Sequence, residues 1–101
     1  MSYADYKMRK AMRVLSESNG QRRKWLASAE FYLFSRLGAD EVPAVVRPRF
    51  SAFRELVGRL EARCDTRPLY AALDHLSDGE AEQLVTAFEA LHAAWPAADL
   101  P

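Results

Sequence analysis

The chain has 101 residues, half of them apolar, which is enough to bury one modest core and excludes a disordered composition. The formal net charge is zero, but every Lys and Arg precedes position 68, so residues 1–67 carry 14 − 8 = +6 and residues 68–101 carry −6. Two such regions either meet within one molecule or bind a partner of opposite sign.

The cysteine and hydropathy patterns limit the class of protein. A single cysteine, Cys64, excludes an internal disulfide and any zinc or redox site built on paired cysteines. No apolar run approaches the length of a membrane span, and no apolar signal core follows the N-terminal Met. We therefore expect one domain, residues 1–101, in a cytoplasmic protein that has no membrane segment.

The first helix is predicted from about Tyr3 to Ser18, because apolar residues recur there at helical spacing and the turn pair Asn19-Gly20 follows. Its other side is mainly basic and carries Tyr6, Lys7, Lys10, Arg13 and the acid Glu17. This side is either a solvated basic face or a contact for an acidic partner.

The second helix is predicted from Gln21 to Leu37 and is apolar on two sides. One stripe begins at Trp25 and includes Tyr32, while Phe31 and Phe34 fall on nearly the opposite side. A helix of this kind is either central or part of an interface, and aromatic residues supply much of the energy of interfaces. We take the pattern to indicate an interface and expect a homodimer.

The remaining segments also favour helices. The segment Ala39–Arg47 is a short helix or an extended arm. Helices are predicted at Pro48–Cys64, Pro68–Leu76 and Asp78–Trp95, the last with a capping box of Ser77 and Glu80 and an acidic outer side. The sequence therefore predicts an all-α, compact bundle of four to five helices.

Residues that could support catalysis are few. The chain has two histidines, and it contains none of the common nucleophile, zinc-protease or phosphate-loop motifs. Glu89 and His92 form one Glu-x-x-His pair, whereas a di-iron bundle needs two such pairs and two further glutamates. We predict a non-enzymatic protein without a cofactor or metal; a small metal-dependent helical enzyme is the least favoured alternative.

Nucleic-acid binding is the main alternative function. The first two helices and their short turn invite comparison with a helix-turn-helix unit, but the body of the second helix is apolar rather than polar. The neutral whole-chain charge also differs from the basic charge typical of DNA-binding domains. The candidate residues for this alternative are Lys7, Lys10, Arg13, Arg22, Arg23 and Lys24.

The preferred function is protein–protein recognition. We expect a regulator that occludes a surface of a larger bacterial protein, such as an antiactivator that inhibits a transcriptional regulator. Aromatic and arginine side chains are the types that carry most interface energy, and basic residues orient an acidic partner. The predicted contact residues are Trp25, Phe31, Tyr32 and Phe34, with Arg22, Arg23, Lys24 and Arg36 around them.

Overall fold

Five α-helices and two short 3₁₀ turns form most of residues 2–63 and 75–96, the part of the chain that this computed structural model describes. No β-strand occurs in that part, which confirms the predicted all-α class. The helices are α1 (Tyr3–Glu17), α2 (Arg22–Leu26), α3 (Ala29–Ser35), α4 (Arg47–Arg63) and α5 (Asp78–Ala94). The predictions for Cys64 and for nearly all of the helix Pro68–Leu76 lie outside the described residues.

Helix α1 begins and ends where its sequence predicts. The Ser2 hydroxyl accepts a hydrogen bond from the Asp5 N–H at 3.1 Å, and the Asp5 carboxylate accepts one from the Ser2 N–H at 3.2 Å. This capping box satisfies amide groups that the first turn leaves unpaired. At the other end, Asn19 (φ 54°) and Gly20 (φ 81°) adopt left-handed conformations, which these two residue types tolerate, and the chain turns.

The single helix predicted from Gln21 to Leu37 is wrong, because the chain bends at Ser28 and forms two helices. The Ser28 hydroxyl donates to the Trp25 carbonyl at 2.6 Å and accepts from the Phe31 N–H at 3.2 Å. It therefore closes α2 and caps α3 at the same time. Because the helix axis changes direction here, residues before and after Ser28 do not share one helical wheel.

The core is built around aromatic rings from four helices. Phe34 of α3 is the centre, with ring centroids 5.6 Å from Phe50 and 5.2 Å from Phe88. Trp25 of α2 lies 4.8 Å from Phe88 and donates its indole N–H to the Ala11 carbonyl of α1 at 2.9 Å. These contacts join α1, α2, α4 and α5 around α3, as expected for a compact helical bundle.

The segment left open between a helix and an arm forms two 3₁₀ turns, Ala39–Glu41 and Ala44–Val46. The apolar Val42 and Val46 beside these turns are almost fully buried, which fixes the segment against the bundle. The Arg47 guanidinium donates to the carbonyls of Ala39 and Val42 at 3.0 and 3.1 Å. The start of α4 is therefore tied to the turns that precede it.

Helix α5 is held at both ends. Near its start, Ser77 and Glu80 form the predicted capping box. Just beyond its end, the Trp95 indole N–H donates to the Asp5 carboxylate at 2.7 Å, and both residues are buried. This bond links the last described helix to the first turn of α1, across ninety positions of sequence.

Candidate protein-binding surface

The aromatic residues predicted to contact a partner lie mostly in the core. Trp25 and Phe34 have no exposed area, and Phe31 is 2% exposed. The prediction of an uncovered apolar side on this segment is therefore wrong, because the bend at Ser28 lets both helices direct their rings into one interior. A homodimer stays a prediction, and these three rings no longer support it.

Tyr32 and Arg36 remain closer to the surface, where they contact each other. Tyr32 is half-buried, and the Arg36 guanidinium lies 5.0 Å from the centroid of its ring. Arg36 also approaches the buried carboxylate of Glu61 at 3.7 Å. Arg36 therefore joins α3 to α4 as well as facing solvent.

The basic start of α2 faces the acidic start of α5. Arg22 lies 3.6 Å from the Glu82 carboxylate, and Arg23 lies 3.2 Å from Asp78. Arg23 also donates to the carbonyl of Leu76 at 2.5 Å. These contacts use two of the basic side chains that were predicted to orient a partner or bind nucleic acid.

A third arginine reaches the same end of α5. Arg63 donates to the Glu80 carboxylate at 2.7 Å and to the His75 carbonyl at 3.0 Å. The pKa of Glu80 is lowered, chiefly by the hydrogen bond from the Ser77 backbone N–H, with Arg63 nearby contributing. The basic and acidic regions thus meet within the molecule at this point, one of the two outcomes that the charge pattern predicts.

Two open grooves flank the exposed Lys24. The larger, about 530 Å³, lies between the start of α2 and α5 and is lined by both charge signs, including Arg22, Asp78 and Glu82. The smaller, about 190 Å³, lies between α1 and α2 and is lined by Glu17 and Lys24 among others. Carboxylates on the walls of both grooves oppose the binding of a polyanion there.

The most distinctive exposed surface follows α1. We call it the aromatic–basic stripe and define it as Tyr3, Tyr6, Lys10 and Arg13. Tyr3 is 58% exposed and Tyr6 is 42% exposed. Within residues 2–63 and 75–96, Arg13 forms no ion pair. Aromatic rings and two basic side chains, of which Lys10 lies near Glu30, therefore share one side of one helix.

The tyrosines and lysines of this region interact directly. The Lys10 ammonium lies 5.1 Å from the Tyr6 ring centroid, and the Lys7 ammonium lies 5.5 Å from the rings of both Tyr3 and Tyr6. A hydrogen bond from Lys10 to the Tyr6 hydroxyl, with the positive charge of Lys10, lowers the pKa of Tyr6 and raises the pKa of Lys10. These cation–π contacts connect the two tyrosine rings to the lysines of α1.

Glu30 of α3 lies beneath the stripe. Its two carboxylate oxygens are 3.7 Å from the Lys7 ammonium and 3.9 Å from the Lys10 ammonium. The oxygen that faces Lys7 is buried and accepts no hydrogen bond. One carboxylate thus offsets two ammonium groups only in part, and the cluster keeps a net positive charge.

Leu33 is the exposed apolar side chain of α3. It follows Glu30 by three residues, a spacing that makes two side chains neighbours on a helix surface. Leu33 is 37% exposed, one of four large apolar or aromatic side chains that are exposed in the described residues. Three of these four, Tyr3, Tyr6 and Leu33, belong to α1 and α3.

Two other kinds of site are not found in the described residues. Among residues 2–63 and 75–96, no three His, Cys, Asp or Glu side chains come together as metal ligands would. Glu89 is exposed and His92 is half-buried on α5. In the same residues, no helix combines the length and the apolar character needed to cross a bilayer.

Sequence reasoning identified part of the stripe. It placed Tyr6, Lys10 and Arg13 on the basic side of α1, but it assigned the apolar contact to α2 and α3. It missed Tyr3, although the spacing of Tyr3 from Tyr6 and Lys10 was a usable signal.

No family model matches the chain, and no curated protein or solved structure matches it significantly.

Proposed function

We propose that the protein is a non-catalytic binding protein that regulates a larger protein by occluding one of its surfaces, in the manner of an antiactivator. The observation that carries the proposal is the aromatic–basic stripe. Tyrosine and arginine are among the residue types that interfaces favour, and Tyr3, Tyr6 and Arg13 lie along one exposed side of α1. The partner surface is therefore acidic around an apolar centre.

The contact differs in position from the one that the sequence suggested. The stripe replaces Trp25, Phe31 and Phe34 as the apolar part of the surface. Lys10 and Arg13 take the orienting role first given to Arg22 and Arg23, which have carboxylates of α5 close by. Charges at the rim of such a contact increase the association rate more than the final affinity.

The local charges favour this function over nucleic-acid binding. Of the six basic residues in that alternative, Arg22 and Arg23 contact Glu82 and Asp78, while Lys7 and Lys10 share Glu30. Arg13 and Lys24 stay unpaired in the described residues, but Glu17 lies near Lys24 in the smaller groove. Neutralising several phosphates needs more free bases than these.

The test is affinity capture from a lysate of the cells that naturally produce this chain. Three forms are compared: the wild type, a test variant and a control variant. The test variant is Tyr6→Ala with Lys10→Glu, which removes a ring and reverses a charge on the stripe. The control is Arg59→Glu, which makes the same charge reversal at an exposed position of α4. Far-UV circular dichroism first establishes that all three forms are folded.

We expect one captured protein whose recovery falls about tenfold with the stripe variant and is unchanged with the control, as for an interface hot spot. That protein, once purified, should lose its own ligand binding or self-association when the wild-type chain is added. Equal recovery by all three forms would reject the stripe as the binding surface. Binding without any loss of the partner's activity would reject regulation by occlusion.

A further inference from the structure

We propose that the stripe binds a single α-helix of the partner, an acidic amphipathic helix that lies along α1. This inference rests on the proposed function and adds the form and chemistry of the bound segment. It follows from the spacing of the stripe, from the order of its residue types and from the charges around it.

The spacing is that of a helix-pairing seam. Tyr3, Tyr6, Lys10 and Arg13 are separated by three, four and three residues, and Glu17 follows after four more. This alternation keeps side chains in line along one side of a helix, and it is the spacing with which one helix packs against another. On α1 the side with Tyr3, Tyr6, Lys10 and Arg13 faces solvent. The opposite side packs Ala4, Met8 and Ala11 into the core.

The length of α1 also suits a partner helix that lies along it. Its fifteen residues make a rod of about 22 Å at 1.5 Å per residue. A partner helix of three to four turns would match this length, and the exposed seam occupies most of it. Recognition of an amphipathic helix through anchors one turn apart is a common mode of peptide binding.

The order of residue types defines the chemistry of the partner helix. Its apolar residues would lie against Tyr3 and Tyr6, and its carboxylates would lie against Lys10 and Arg13. Glu17 ends the seam with an acid, so a base or a neutral side chain on the partner suits that end.

The same charges disfavour two other occupants. Glu17 would repel the continuous phosphates of a nucleic acid laid along the whole of α1, whereas an amphipathic helix can place a neutral or basic side chain there. In a second copy of this chain, the acidic helix α5 buries its apolar residues Leu84, Phe88 and Leu91 in its own core. That helix has only its acidic side available. Acidic side chains match Lys10 and Arg13 but not the rings of Tyr3 and Tyr6.

The experiment is a selection from a displayed library of helical peptides of about twenty residues, randomised at the two seam positions of each heptad. Wild-type protein is the target, and the Lys10→Glu, Arg13→Glu variant is used for counter-selection. A control target carries Arg49→Glu and Arg59→Glu, which reverse two exposed charges on α4. We expect enriched peptides with apolar residues at one end and Asp or Glu at the other.

Selected peptides should bind the control target as tightly as the wild type and the stripe variant about tenfold more weakly. In nuclear magnetic resonance titrations, the backbone amide signals of the stripe residues should shift most. Selection of peptides without acidic residues, or no enrichment at all, would overturn the proposal. So would equally tight binding of a DNA duplex, or sedimentation that shows the chain pairing with itself through α1.

The two proposals can fail separately. If no helix is enriched, yet capture of a natural partner still depends on Tyr6 and Lys10, then the stripe binds a segment of another form and only the helix proposal is rejected. If capture is independent of these residues as well, then both proposals are rejected.

Discussion

Two groups of aromatic side chains in this molecule have opposite environments. The first, centred on Phe34, includes Trp25 and Phe31 and is buried among four helices. The second, Tyr3 and Tyr6, stands on the outer side of α1 beside lysines. The first group stabilises the fold, and the second is exposed to solvent. The presence of rings in a sequence therefore does not distinguish a core from a contact surface.

The largest expected effect is at Phe34. Phe34→Ala removes a ring that packs against Phe50 and Phe88 and should lower the free energy of unfolding by about 3–5 kcal/mol. Urea denaturation followed by circular dichroism would measure the change. Tyr6→Ala, the matched control on the surface, should leave the midpoint almost unchanged. Similar losses in the two variants would contradict the division into a core group and a surface group.

A smaller loss is expected where the core meets the first turn of α1. Trp95→Phe keeps an aromatic ring near Phe34 but removes the indole donor to the buried Asp5 carboxylate. The loss of a hydrogen bond to a charged group should cost about 1.5–3 kcal/mol. Urea denaturation at neutral pH would measure it.

The same variant should change the dependence of stability on pH. Burial raises the pKa of Asp5, but hydrogen bonds from Trp95 and Ser2 outweigh this effect, so the pKa in the folded protein is lowered. A lowered pKa contributes stability that is present above the unfolded-state value, about 3.9, and is lost as the pH falls toward the folded-state value. Trp95→Phe should reduce this acid-induced loss. An unchanged slope below pH 4 would show that Trp95 does not act on Asp5 in solution.

A stabilising substitution is expected at Gly58 of α4. It tests whether any other group contacts the helix at this position. A methyl group at Gly58 would meet no atom within 4 Å, and the residue lies inside a helix. Gly58→Ala should raise the free energy of unfolding by about 0.5–1 kcal/mol, because alanine loses less backbone entropy on folding. A decrease in the thermal midpoint would indicate a contact at this position that the monomer does not contain.

The smallest effect concerns the surface group itself. Lys10 lowers the pKa of Tyr6 by a hydrogen bond and by its charge. Lys10→Met should therefore raise the pKa of Tyr6 toward its usual range, with little change in stability. Magnetic resonance of ring-labelled tyrosine would measure the Tyr6 hydroxyl separately from the other tyrosines. An unchanged Tyr6 titration would show that the two side chains are apart in solution.

Local signals in the sequence predicted several elements correctly. The capping box of Ser2 and Asp5 was not predicted. The start of α1 at Tyr3 was predicted, and the Asn19-Gly20 pair marked the end of this helix. Ser77 and Glu80 correctly marked the start of α5. These predictions succeeded because caps and turns are made by residues close together in the chain.

The errors have one physical origin. A serine inside an apolar stretch can point to solvent or cap a new helix, and the stretch around Ser28 was read as continuous. On a single continuous helix, Phe31 and Phe34 fall on the side opposite Trp25. This placement led to the prediction of an interface there. A signal was available, because Ser28 is followed by Glu30, an acid in the first turn of α3.

By itself, the sequence determined the helical class, the ends of α1 and α5, and the separation of basic from acidic residues. Only the tertiary structure decided which rings are buried and which charges are paired, since both depend on how helices distant in sequence are oriented. The chain bends at Ser28 between α2 and α3, and the Trp95–Asp5 bond connects the end of α5 to the first turn of α1. In this arrangement the rings of α2 and α3 are buried and the tyrosines of α1 are exposed.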